Sequence, residues 1–143
     1  MKRSILVEAD GGPLAVVIAG ANVPDAQLLV ATLETVVLER PPLEATGPTH
    51  LCLDKGYDNW IGWGACREFG YVPHIARIRE ERSTWRRRHP PRRWIVERTL
   101  AWLSKCRALL IRWDKKACNY LGLLKLACAL LWLRRYHHLA GLR

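Results

Sequence analysis

Glycine and proline cut the first half of this chain into pieces too short for more than brief strands and modest helices. Asp10-Gly11-Gly12-Pro13 separates two β-type runs, Ser4–Ala9 and Leu14–Ala19. Gly supplies positive φ and Pro cannot extend a central strand, so the two runs predict a hairpin. After Gly20-Ala21-Asn22, Pro24-Asp25 starts a helix in which Leu28, Leu29, Thr32, Leu33, Val36 and Val37 recur at helical spacing. Arg40-Pro41-Pro42 is the expected stop, and Leu43–Thr49 reads as a loop. His50–Leu53 is a short apolar strand ending at Asp54. Asp58 or Asn59 can cap a helix running to about Phe69, with Gly70 after its end. Tyr71–Ala76, interrupted by Pro73, predicts a strand at an edge or a strand end.

The second half is different. Residues 78–93 form a basic loop with six arginines between Arg82 and Arg93 and no acid among them. Beyond Pro90-Pro91 two long amphipathic helices are expected. One spans about Arg92 to Arg112, with Ile95, Trp102, Cys106 and Leu109 on one face. The other spans about Lys116 to Tyr136, with Leu121, Leu124, Cys128 and Leu131 as its stripe. A short link makes them an antiparallel pair spanning 92–136. The order β, β, α, β, α, β, basic loop, α, α predicts an α/β fold in one domain covering residues 1–143.

Charge is as uneven as structure. Residues 1–60 carry four basic and eight acidic side chains, net −4, and residues 61–143 carry 19 basic and five acidic, net +14. This asymmetry points to a polyanionic partner, with nucleic acid first and a basic surface without a specific partner as the bland alternative. Arginine forks suit phosphate oxygens and Trp85 can stack on an unpaired base, which makes Arg82, Arg86, Arg87, Arg88, Arg92 and Arg93 candidate DNA contacts. A solvated charge run is the other reading. The five cysteines form no CxxC or CxxH pair, so neither a zinc site nor a disulfide framework is indicated. No secretory signal is visible. The most apolar run, 117–133, is short for a membrane span and has Lys125 near its centre. A cytoplasmic protein without a membrane role is expected.

Two carboxylates stand out. Asp54 directly follows a strand, where open α/β sheets place ligand groups, although a turn-forming Asp bonding its own backbone explains the position equally well. Glu97 points away from the apolar face of its helix, one turn after Arg93, and a solvated ion pair with that arginine is the simple account. Hard divalent cations prefer carboxylate oxygens, and phosphodiester cleavage benefits from two such ions held by two or three convergent acids.

HLCLDKGYDN (50–59), RRWIVERTLAWLSKCRALLIRWDKK (92–116) and LLKLACALLWLRRY (123–136) together resemble the DDE transposases of bacterial insertion sequences, in the insertion-sequence-four and -five superfamily. The stretch 2–29 is similar to the segment between the family's first and second acids. The resemblance implies a ribonuclease-H-like mixed sheet with flanking helices, here without its first strand. It also implies three carboxylates binding Mg²⁺ or Mn²⁺, nicking at element ends, and strand transfer into target DNA. Asp54 matches the second acid and Glu97 the third, so both are expected as catalytic metal ligands. Arg93 matches an arginine that contacts DNA. The first Asp belongs to a strand upstream of residue 2, so the chain is expected to be inert alone. It is also expected to be unstable unless it pairs with another copy, an upstream fragment or a full-length transposase. Double-stranded DNA, at element ends and target, is the expected partner in the bacterial nucleoid. A non-catalytic regulator that binds DNA or pairs with transposase is the alternative. The pattern departs from the family where a tyrosine is replaced by Pro90 and a lysine by Ser104. Lys105, next door, is the candidate DNA contact.

Overall fold

The computed structural model describes residues 1–77 and 92–141. Its elements in order are β1 (Lys2–Val7), β2 (Pro13–Ala19), α1 (Asp25–Glu34), α2 (Leu43–Thr46), β3 (His50–Leu53), α3 (Trp60–Glu68), β4 (Val72–Ile75), α4 (Arg93–Ser104), α5 (Arg107–Leu110) and α6 (Ala117–Leu139). This is a mixed α/β architecture. The strands pair as two separate two-stranded sheets, β1–β2 antiparallel and β3–β4 parallel, rather than as one mixed sheet. No strand among the described residues joins them.

The β1–β2 hairpin forms where its turn chemistry predicts. Gly11 adopts φ +92°, which favours glycine. The Glu8 carboxylate accepts the amides of Asp10 (2.9 Å) and Gly12 (2.8 Å), satisfying turn donors that face no strand. Cross-strand partners such as Ile5 and Val16 share one face, and Leu6 and Ala15 share the other. The hairpin therefore serves two cores. Ile5, Val16 and Ile18 pack with Leu103, Leu109, Tyr120, Leu124, Ala127 and Cys128 of the C-terminal helices. Leu6 joins Leu29 and Leu33 of α1, Leu51 and Leu53 of β3, and Ala65 and Cys66 of α3. The hydroxyl of buried Thr32 on α1 bonds Ser4 on that same side (2.7 Å).

α1 starts after extended Pro24 with Asp25 in its first turn, where a carboxylate suits the helix dipole. It ends at Glu34, six residues before the expected stop at Arg40. Thr35, Val36 and Val37 are β-branched, and Val37 is left 87% exposed, so further turns would add no burial to offset poor propensity. One short helical turn, α2, occupies part of the expected loop 43–49. α3 begins as predicted, with the Asn59 side chain accepting from the Gly62 amide (3.0 Å) and Gly70 beyond its end at φ +67°. β4 accommodates Pro73 because a two-stranded sheet leaves one side of each strand unpaired.

The expected helix from Arg92 to Arg112 is broken. α4 stops at Ser104, and Cys106 adopts an extended conformation (φ −76°, ψ 111°) before α5 begins. The buried face is Ile95, Thr99 and Leu103, four residues apart, rather than Ile95, Trp102, Cys106 and Leu109. Leu103 and Leu109 are six residues apart, about 240° around a continuous helix, and could not enter one core from it. The break turns Leu109, only 1% exposed, into the same cluster as Leu103 and leaves Cys106 in solvent. α6 carries Tyr120, Leu124, Ala127 and Cys128 inward, with Leu121, Leu123 and Leu131 partly buried beside them. It is long and apolar enough by length and composition to cross a membrane (mean hydropathy 1.2).

The C-terminal helices hold the hairpin at its turn. Thr99 Oγ1 donates to Gly11 O (2.7 Å), Arg98 Nη2 to Asp10 O (2.5 Å) and Trp132 Nε1 to Pro13 O (2.7 Å). Arg135 Nη1 donates to Glu8 Oε1 (2.6 Å). At the other end, Tyr120 Oη and Arg3 Nη2 both donate to Leu109 O (3.1 and 2.6 Å).

Candidate metal and nucleic-acid site

Asp54 directly follows β3 and caps a single 3-10 turn, Lys55–Tyr57. Its Oδ1 accepts the Lys55 amide (2.6 Å), the local bond a turn-forming Asp makes. Its Oδ2 faces another way and accepts from Arg93 Nη1 (3.3 Å). The loop between Asp54 and α3 is fixed from three sides. Asn59 Nδ2 donates to Gly56 O (3.0 Å), Trp63 Nε1 donates to Asp58 Oδ1 (3.0 Å), and Gly62 lies against the Tyr57 carbonyl. A Cβ on Gly62 would stand 2.2 Å from that oxygen, so only glycine lets α3 approach the turn that carries Asp54.

Glu97 sits on the solvent side of α4, opposite Ile95. Its Oε1 accepts from Arg93 Nε (2.9 Å). The predicted i,i+4 pair is therefore present, and the same guanidinium also holds Asp54. Two carboxylates 43 positions apart in sequence meet on one cation. The three side chains are open to solvent, at 54% for Asp54, 61% for Glu97 and 72% for Arg93.

The other predicted cations are placed unequally. Arg92, exposed, precedes α4 and lies near Cys52 of β3; burial pushes that thiol's pKa up and the Arg92 charge only partly offsets it. Lys105 stands at the opposite end of α4, about 12 Å along the axis from Glu97. Arg82, Arg86, Arg87 and Arg88 fall outside the described residues.

Three arrangements escaped the sequence reading. The bridge from Arg93 to Asp54 joins elements whose proximity no local pattern reveals. Arg98 lies between Trp94 and Trp102 of its own helix, 4.7 and 4.9 Å from their ring centroids; the i,i+4,i+8 spacing was legible but the apolar stripe masked it. His50 Nδ1 and His74 Nε2 lie 2.6 Å apart on neighbouring strands, which the alternation of β3 and β4 would have allowed once their register was known.

The donor set suits a hard cation: two carboxylates with, among the described residues, no thiolate or imidazole bonded to them. Among the described residues no group of three or more His, Cys, Asp or Glu side chains converges as a metal site.

The comparison of sequences gives the class directly. The transposase DDE domain family matches residues 1–132, and the chain belongs to that family. It is also 36% identical over 134 residues to a Burkholderia cepacia protein named as a transposase for insertion sequence element IS402. The match covers 91% of this chain and 61% of that relative, so the chain spans about three fifths of the relative's length. No solved structure matches it significantly.

Proposed function

We propose that this chain acts in DNA transposition as the part of a DDE transposase that carries Asp54 and Glu97, two of three acids that hold Mg²⁺ or Mn²⁺. The observation that carries this reading is the convergence of the two side chains on one guanidinium from separate elements of the fold. Side chains that draw on one cation from separate elements support a shared role in holding a metal ion. The bound ion would supply Lewis acidity, activating water and steadying the leaving oxygen of a phosphodiester. The turn bond of Asp54 uses Oδ1 and leaves Oδ2 free of backbone bonds, and Glu97 reaches from α4 toward the same guanidinium. Arg92 and Arg93, with Arg82, Arg86, Arg87, Arg88 and Lys105, would hold DNA phosphates.

The third acid would stand on a strand that completes a ribonuclease-H-like sheet. Two two-stranded sheets that share an apolar cluster but, among the described residues, no strand pairing support this, because a strand between β1 and β3 would unite them. On this reading the chain alone does not cut DNA. It works joined to or paired with the remainder of a transposase, in the bacterial cytoplasm on nucleoid DNA. That two acids and not three converge among the described residues also favours a second reading, a regulator that binds DNA or pairs with intact transposase without cutting.

A chimera separates the two. This chain replaces the matching 134 residues of the Burkholderia cepacia relative, and excision of a marked element is scored in cells. Excision that disappears with Asp54→Asn and with Glu97→Gln is expected. Excision indifferent to both substitutions would refute the catalytic assignment. For the DNA contacts, log affinity for duplex should fall steeply and linearly with log salt, and a flat response would remove the arginines from the account.

A further inference from the structure

We infer that Arg93 is a displaceable counter-ion for the metal site: it holds Asp54 and Glu97 together when no divalent cation is bound, and is released toward DNA phosphate when one binds. The inference rests on the metal reading given above and adds a regulation to it. Two carboxylates drawn toward one point repel each other, and a positive charge between them offsets that repulsion. Arg93 supplies one. Its Nη1 reaches Asp54 Oδ2 at 3.3 Å and its Nε reaches Glu97 Oε1 at 2.9 Å, so one planar guanidinium spans both acids with separate donors.

The bridge is built to give way. All three side chains are more than half exposed, and exposed ion pairs are weak because water and salt compete with them. A divalent cation would offer the same two acids twice the charge. Once it takes them, the guanidinium loses both partners, while its backbone stays fixed in the first turn of α4. A free arginine beside a metal ion, at the edge of a strongly basic segment, is then available to a phosphate. Metal and phosphate binding are coupled through one side chain, and the coupling is reciprocal.

The sign of a single substitution distinguishes this role from a positioning one. Mn²⁺ binding to the full chain is titrated by loss of the free-ion electron paramagnetic resonance signal. If Arg93 competes with the metal, Arg93→Gln tightens Mn²⁺ binding by about three- to fivefold, the worth of an exposed pair or two. If Arg93 only positions the acids, the same change weakens it. Lys55→Gln controls for charge alone, since Lys55 follows Asp54 directly and makes no ion pair with either acid; a smaller effect is expected there. Duplex affinity gives a second readout: Arg93→Gln should weaken it in Mn²⁺ and leave it unchanged in EDTA.

Weaker or unchanged Mn²⁺ binding in Arg93→Gln would overturn the counter-ion role and leave the metal site standing, provided Asp54→Asn abolishes binding. Equal tightening by Lys55→Gln, or equal loss of DNA affinity with and without metal, would also overturn it. Mn²⁺ binding unaffected by Asp54→Asn would remove the metal reading and this inference together.

Discussion

Glu8 is a carboxylate held by two amides and a guanidinium, and replacing it with glutamine tests how the hairpin is fastened. Burial of Glu8 pushes its pKa up, but the amides of Asp10 and Gly12 and the Arg135 guanidinium outweigh that, and the pKa lies below the ordinary 4.5. Glutamine keeps the shape and one acceptor oxygen but loses the charge. A hydrogen bond to a charged group contributes about 1.5–3 kcal/mol. The Glu8 and Arg135 side chains are 28% and 27% exposed, so solvent screens part of that. We expect Glu8→Gln to cost about 2 kcal/mol at pH 7, lowering Tm by roughly 4–8 °C for a chain of this size. The depressed pKa gives the pH dependence a definite sign. The contribution is complete above the unfolded value and is lost as pH falls through the lower folded one. Urea denaturation of both proteins should therefore show the full gap at pH 7 and a shrinking gap below pH 4.5. A gap of zero at pH 7, or one that does not change with acidification, would refute the argument.

Three further substitutions probe the scaffold. Leu124→Ala removes a side chain with no exposed surface and should cost about 2–5 kcal/mol by denaturation. Asn59→Ala removes the cap of α3 and should cost about 1 kcal/mol, with little change in Mn²⁺ binding. Gly62→Ala forces the Tyr57 carbonyl away and should weaken Mn²⁺ binding through Asp54 as well as lower Tm.

Much of this structure is readable where the determinant is local. Asp10-Gly11-Gly12-Pro13 fixes the hairpin turn because a positive φ is needed at one position and glycine stands there. Asn59 announces α3 because a cap acts within three residues. Asp54 is conspicuous because it directly follows a strand. What failed was non-local or a matter of stopping. α1 ends at a β-branched run with nothing to bury, six residues before the prolines. The break between α4 and α5 contains neither glycine nor proline; it is imposed by the need to bring Leu103 and Leu109 into one core. The candidate site was half legible. Glu97 and Arg93 sit at a helical spacing that predicts their ion pair, but that satisfied local pair conceals the second bond to Asp54, which depends on how β3 meets α4.

The account stands on Asp54 and Glu97 sharing one metal ion. Iron(II) placed in such a site and treated with ascorbate and peroxide cuts the polypeptide backbone beside it, whether or not the protein can cut DNA. The prediction is two sets of fragments, one from cleavage near residue 54 and one near residue 97, both suppressed by excess Mg²⁺ and both absent in Asp54→Asn. Cleavage at only one of the two, or a pattern that Asp54→Asn leaves intact, would contradict it.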